Sequence, residues 1–141
     1  MIILDTNVLS ELMRPRPDPY VQQWIEEQKS INLFTTSVTK AEVLYGIELL
    51  SPGKRRDGLL AAAEKMFSVL LSQRILGFES DSAPHFAVIA VHRRSKGRPM
   101  TDLDAQIAAI ALTHKAPLAT HNLADFEDCG IELIDPWQAE R

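Results

Sequence analysis

Short apolar runs alternate with longer helical patterns along this chain, and that alternation restricts it to one broad fold class. Ile2-Ile3-Leu4 is too brief for a helix and stops at Asp5. Ile31-Asn32-Leu33-Phe34-Thr35 alternates as a strand does. Ile75-Leu76-Gly77-Phe78, Leu118-Ala119-Thr120 and Ile131-Glu132-Leu133-Ile134 bring the strand count to about five. Helical patterns lie between them: residues 7–13, the stretch after Asp18-Pro19, residues 39–50, Leu59 to Leu71, Ser82 to Lys96, and Leu103 to Lys115. Asp18-Pro19 reads as an N-cap with Pro in the first helical position, and Gly97 as a C-terminal stop. Strands joined by one or two helices need crossover connections, which produce a mainly parallel sheet with helices on both faces. The expected class is therefore α/β. Such a sheet binds ligands beyond the carboxyl ends of its strands, here just after residues 4, 35, 78 and 120.

With no repeat, low-complexity tract or linker, the 141 residues read as one domain, 1–141. A chain 45% hydrophobic and 24% charged has ordinary globular composition, which excludes general disorder. Its apolar runs are broken by Lys, Glu or His well short of the ~18 residues that a membrane span needs. The start, Met1-Ile2-Ile3-Leu4-Asp5, lacks the basic segment of a secretory signal. The single cysteine, Cys129, can form no internal disulfide and excludes a thiolate metal site; a reducing cytoplasm is the expected compartment. A net charge of −4 argues against a general nucleic-acid coat protein but leaves room for a local basic patch.

Three acids stand in the first turns of separate helices, at Asp5, Glu42 and Asp104. Each has a structural reading when taken alone. Asp5 fits an Asx-type N-cap, Thr39-x-x-Glu42 a capping box, and Thr101-x-x-Asp104 a second capping arrangement. Taken together, they project toward one end of the sheet, where carboxylates repel one another unless a cation neutralises them. Carboxylates without His or Cys partners select hard cations, Mg²⁺ or Mn²⁺. A cation so held activates water and clamps phosphoryl oxygens, so the favoured chemistry is phosphodiester hydrolysis or phosphoryl transfer. There is no G-x-S-x-G elbow, no Walker A sequence and no G-x-G-x-x-G. A phosphatase of the D-x-D-x-T type would need Asp where Asn7 stands. A non-catalytic module keeping only the fold, such as a repressor bound to DNA with a partner, is the remaining alternative.

The run Met1 to Asn7 with Ser10-Glu11, the helix carrying Ser37, Thr39, Glu42 and Tyr45-Gly46, and Asp102-Leu103-Asp104-Ala105-Gln106-Ile107-Ala108 resemble a PIN-domain ribonuclease. Leu118 to Phe126 and the closing Asp135-Pro136-Trp137 fit the same pattern. Within the family they look like VapC-type toxins of bacterial type II toxin–antitoxin modules, on the FitB-like branch. The resemblance spans essentially the whole chain in order and spacing. It implies a PIN-like three-layer fold and an Mg²⁺-dependent endoribonuclease whose metal-binding, catalytic acids are Asp5, Glu42 and Asp104. Thr6 matches the small polar residue that helps order the site. The family's frequent fourth acid falls on Asn122, which can orient a water but adds no charge; Asp125 or Asp102 could substitute, although Asp102 is equally placed to be an N-cap. The implied partners are RNA, a VapB- or FitA-like antitoxin that alone reaches operator DNA, and a second copy of the toxin. The dimer would use the apolar positions of residues 21–28 and 43–50.

An acidic protein that cleaves RNA needs local positive charge. Arg93, Arg94, Lys96 and Arg98 place four of the 15 basic residues within six positions, although cations at a helix C-terminus also satisfy its dipole. Lys54-Arg55-Arg56, read as a loop cluster, carries the same ambiguity. Lys40, two residues before Glu42, is a further candidate for a phosphate. Of the histidines, His121 alone falls at the expected mouth of the site.

Overall fold

A computed structural model describes residues 1–138; positions 139–141, the end of the expected domain, lie outside the described residues. Five strands form one parallel sheet: β1 (Ile2–Leu4), β2 (Leu33–Thr36), β3 (Ile75–Leu76), β4 (Leu118–Ala119) and β5 (Leu133–Ile134). Their spatial order is β3-β2-β1-β4-β5. Ile3 pairs with Phe34 on one side and with Leu118 on the other, which makes β1 the central strand. The chain builds outward first from β1 toward β3 and then from β4 toward β5. The sheet therefore reverses direction of growth between β1 and β4, where open α/β sheets leave a ligand crevice.

The described residues form α1 (Thr6–Leu12), α2 (Pro19–Glu27), α3 (Ser37–Glu48), α4 (Lys54–Lys65), α5 (Ala83–Ser95), α6 (Asp102–Thr113) and α7 (Leu123–Phe126). Side chains of successive strand residues go to opposite faces, and the two cores follow that rule. Leu4, Leu33 and Ala119 pack with Val8, Trp24, Ile47 and Phe67 on one face. Ile3 and Leu118 pack with Ile89, Ile107, Ile110 and Phe126 on the other. This is the expected three-layer α/β arrangement. Asp18 caps α2 by accepting from the Tyr20 amide at 2.8 Å, and Gly97, at φ +71, follows α5 as the left-handed stop.

Local departures have physical causes. β3 ends at Leu76, because Phe78 leaves the sheet to meet Phe86 edge-on, ring centroids 5.9 Å apart. α3 begins at Ser37, two residues before the expected start, because Thr36 Oγ1 accepts from the Thr39 amide at 3.0 Å. Lys54, Arg55 and Arg56 are the first turn of α4, not a loop, and Arg56 pairs with Glu48 at 2.6 Å. The expected dimer surface is mostly internal. Val21, Trp24, Val43 and Ile47 belong to the sheet's own core, leaving Tyr45 and Leu49 exposed on α3. No helix among the described residues is long and apolar enough to cross a membrane.

Candidate active site

Asp5 follows β1 directly and lies where the central strand meets β4. It is 4% exposed, and its side chain makes no capping bond to α1, so the Asx-cap reading does not hold. Its Oδ2 instead accepts from Thr120 Oγ1 at 2.8 Å and from Asn7 Nδ2 at 3.1 Å. Asn7 Oδ1 accepts the His121 amide at 3.0 Å. One side chain thus ties the first turn of α1 to the end of β4 and holds the carboxylate between them.

Glu42 belongs to the second turn of α3. The expected capping box with Thr39 does not form, because Thr36 is the N-cap. Thr6 Oγ1 donates to Glu42 Oε1 at 2.9 Å, joining α1 to α3. Asp104 enters from the first turn of α6, where Thr101 is the cap and accepts the Asp104 amide at 3.2 Å. Asp102 is then the first helical residue, not the cap.

The electrostatics mark these acids as one group. Burial raises the Asp5 carboxyl above its usual value, and the Glu42 charge adds to it, against hydrogen bonds from the Thr6 backbone, Thr120 and Asn7. Burial also raises Asp104, followed by the charge of Asp5; Asp125 pushes in the same direction. Among the described residues neither Asp5, Glu42, Asp104 nor Asp125 has an ion-pair partner. Asp125 therefore contributes the extra negative charge beside Asp104 that Asn122 does not; Asn122 precedes α7 and donates its amide to Thr120 Oγ1.

An oxygen-only, charge-repelling donor set suits a hard divalent cation. No three His, Cys, Asp or Glu side chains among the described residues converge closely enough to enclose a metal by themselves.

The basic residues divide differently from their spacing in the sequence. Arg93 is 4% exposed and buried by design: Nε donates to the Arg98 carbonyl, and Nη1 to those of Asp125 and Glu127. It is a clamp between α5 and the end of α7, and it cannot meet a phosphate. Lys96 pairs with Asp128, and Arg98 with Glu127 and Asp128. Arg94 is the exposed cation of that cluster without an ion pair among the described residues. Lys40 sits over the Phe67 ring at 5.6 Å, facing a groove shared with Glu48 and Glu64. Two positions along a helix turn a side chain by about 200°, so Lys40 and Glu42 face different ways.

His121 stacks on Trp137, ring centroids 4.4 Å apart, and its Nδ1 is 3.3 Å from Asp135 Oδ1. Asn7 and Thr120 were quoted in the sequence motifs without a role. Asn7, two residues after Asp5 in the same turn, carried a readable signal. Thr120 did not, because its importance depends on β4 lying beside β1.

A PIN domain family model matches residues 2–130. The chain is 37% identical over 139 residues to the plasmid stability protein StbB of Pseudomonas syringae pv. tomato, covering 99% of this chain and 100% of that protein. It is 34% identical over 138 residues to the VapC ribonuclease Y4jK of Sinorhizobium fredii, covering 98% and 99%. The structure of FitAB bound to an IR36 DNA fragment contains a chain that superposes with a TM-score of 0.92 at 32% identity, covering 100% of this chain and 99% of that one.

Proposed function

The chain belongs to the PIN-domain family, and from that premise we propose that it is a metal-dependent endoribonuclease, the toxin of a VapBC- or FitAB-like toxin–antitoxin pair. The observation carrying this reading is that buried Asp5, at the sheet's switch point, stands within electrostatic reach of both Glu42 and Asp104, with no ion pair to any of the three among the described residues. The name of its ribonuclease relative supports the reaction class. A bound Mg²⁺ or Mn²⁺ supplies an activated water and stabilises charge on the phosphoryl oxygens.

The chain's own residues set the geometry for that chemistry. Asp5 and Asp104 would hold the cation, and Glu42 would complete the group. Thr120 and Asn7 orient the Asp5 carboxylate from the β4 side, and Thr6 orients Glu42 from α1. Asp125 supplies the fourth negative charge. Hydrogen bonds of this kind keep a carboxylate ionised and aimed, which a mobile surface acid does not achieve.

A small VapB- or FitA-like antitoxin covering the site is the proposed protein partner, operator DNA being reached only through it. The FitAB–DNA neighbour supports that assembly. A toxin homodimer, using the exposed Tyr45 and Leu49, and a cytoplasmic location beside the RNA substrate complete the reading. The deciding experiment is incubation of the antitoxin-free protein with a mixed RNA pool, in Mg²⁺ and in EDTA. Discrete cleavage in Mg²⁺ and none in EDTA is expected; intact RNA in both would refute the activity.

Glu42→Gln tests membership of the carboxylate group separately. Gln still accepts from Thr6 but removes one repelling charge. Metal-free melting should therefore be unchanged or higher than wild type. Wild type should gain RT ln(1 + [L]/Kd) from Mg²⁺, about 1.4 kcal/mol at ten times Kd, and the variant clearly less. Equal Mg²⁺ gains in both proteins would remove Glu42 from the metal site.

A further inference from the structure

A cleft of about 550 Å³ reaches Glu42, the one acid of the three that lines it, with Thr6 and Asn7 beside it, Gly46 along α3, and Arg14, paired with Glu11, and Arg55 on its walls. A second cavity of about 550 Å³ continues past Arg14 and Arg55 and adds Lys54. The two form one track from the acidic group to the gap between the end of α1 and the start of α4. Arg14 is tethered to Glu11 at 3.2 Å yet its side chain remains 65% exposed. Lys54 and Arg55 are exposed and have no ion pair among the described residues. Asp57, in the same turn, is the nearby acid along the chain.

Arg14 has a local partner in Glu11, but Lys54 and Arg55 have no local structural reason for their position. Lys54 and Arg55 stand at the start of α4, where the helix dipole disfavours positive charge; the cluster on α5 stands at the end favoured by the dipole, with Lys96 and Arg98 ion-paired. Gly46 points the same way. A glycine inside a helix is disfavoured, and nothing lies within 4 Å of where its Cβ would stand, so packing does not require it. The cleft has an apolar floor that includes Val43, Ile47 and Leu59, carries Arg14 and Arg55 at its rim with Lys54 in the cavity beyond, and reaches Glu42. Single-stranded nucleic acid is held in such positively charged grooves through its backbone.

We propose that Arg14, Lys54 and Arg55 are phosphate contacts for single-stranded RNA, carrying it along this cleft to or from the bond placed at Asp5, Glu42 and Asp104. The proposal rests on the ribonuclease reading and adds the route of the substrate. It also replaces the α5 cluster, of which Arg93 is internal, as the main electrostatic footprint.

The test is the salt dependence of RNA recognition by the antitoxin-free protein. A short fluorescein-labelled single-stranded RNA of mixed sequence is titrated by anisotropy in EDTA, and kcat/KM for cleavage is measured in Mg²⁺, both across a potassium chloride series. Lys54→Ala/Arg55→Ala should weaken binding about tenfold near roughly 0.15 M salt and lower the log–log slope by about 1.4, or ~0.7 per lost contact. The swap Lys54→Arg/Arg55→Lys, which keeps both charges, should retain most of the slope. Lys115→Gln, just before β4 at the opposite end of the sheet, should leave it unchanged. An unchanged slope in the double alanine variant overturns the route and leaves the cleft to a protein partner. Equal losses in the alanine and swap variants also overturn it, since local fold and not phosphate charge would then be responsible. If the unaltered protein neither binds nor cleaves RNA, the ribonuclease reading falls along with the route. Cleavage with an unchanged slope defeats the route alone.

Discussion

Asp5→Asn should keep the fold and lose at least ~100-fold in Mg²⁺-dependent RNA cleavage, because electrostatic stabilisation at such sites is commonly worth ~3 kcal/mol or more. Asn can still accept from Thr120 and Asn7 through its carbonyl oxygen, so the hydrogen bonds on Oδ2 have a neutral substitute. What disappears is the charge. Stability supplies a second readout, with its sign set by the raised carboxyl. When the folded value lies above the usual one near 3.8, the native state binds more protons than the unfolded chain between the two values. Metal-free wild type therefore loses stability as pH rises through that window and carries the full penalty at neutral pH. The variant has no such penalty. In EDTA it should melt at or above wild type at pH 7, and the difference should vanish as pH falls below the usual carboxylate value. Cleavage at wild-type rates by Asp5→Asn would eliminate the proposed site, whatever the melting curves show.

Arg93→Ala should be the most damaging substitution to the fold among the residues once grouped for RNA binding. The expected loss is about 3 kcal/mol, since hydrogen bonds from a charged group contribute roughly 1.5–3 kcal/mol and three carbonyls lose their donor. For a domain of this size that corresponds to roughly 10 °C in melting temperature. Arg93→Lys should recover only part of it, because an ammonium cannot reproduce the planar fork. Arg94→Ala, one residue away and exposed, should change melting by less than ~0.5 kcal/mol. Thermal melts of the three variants decide the matter. Similar melting temperatures for Arg93→Ala and Arg94→Ala would show that the carbonyl clamp contributes nothing.

The contrast between those neighbouring arginines shows where the sequence stops being informative. Charge density along the chain groups residues 93–98, yet a helix separates consecutive side chains by about 100°. One arginine then faces the packed interior beside α7 while the next faces water. Lys40 and Glu42 are parted by the same geometry. The capping box at Glu42 fails for a related reason: Thr36 and Thr39 are both competent caps, and where β2 ends decides between them.

Much of the local structure was readable, although the caps at Asp5 and Glu42 and the loop at Lys54 to Arg56 were not. The apolar runs and their alternation place strands at Ile2 to Leu4, Ile31 to Thr35 and Leu118 to Thr120, and the observed strands overlap all three, with Ser30–Asn32 forming a 3-10 turn before β2. Asp18-Pro19 and Gly97 announce a helix start and a helix stop through backbone preferences that act within a few residues. The three acids could be named as candidates because Asp5 follows a strand, Asp104 opens a helix, and Glu42 lies near the start of the helix after β2. Of the groups that hold those acids, Thr6 was a candidate by resemblance, but neither its partner Glu42 nor the role of Thr120 could be named. Thr120 meets Asp5 across 115 positions of sequence, and Thr6 meets Glu42 across 36. Those meetings exist only because β4 pairs with β1 and α3 packs against α1. Periodicity and capping are encoded residue by residue, so the sequence alone settles the elements and the candidate chemistry. Strand order, the partners of each carboxylate and the cations left free for a phosphate depend on which surfaces bury each other, and only the folded chain decides that.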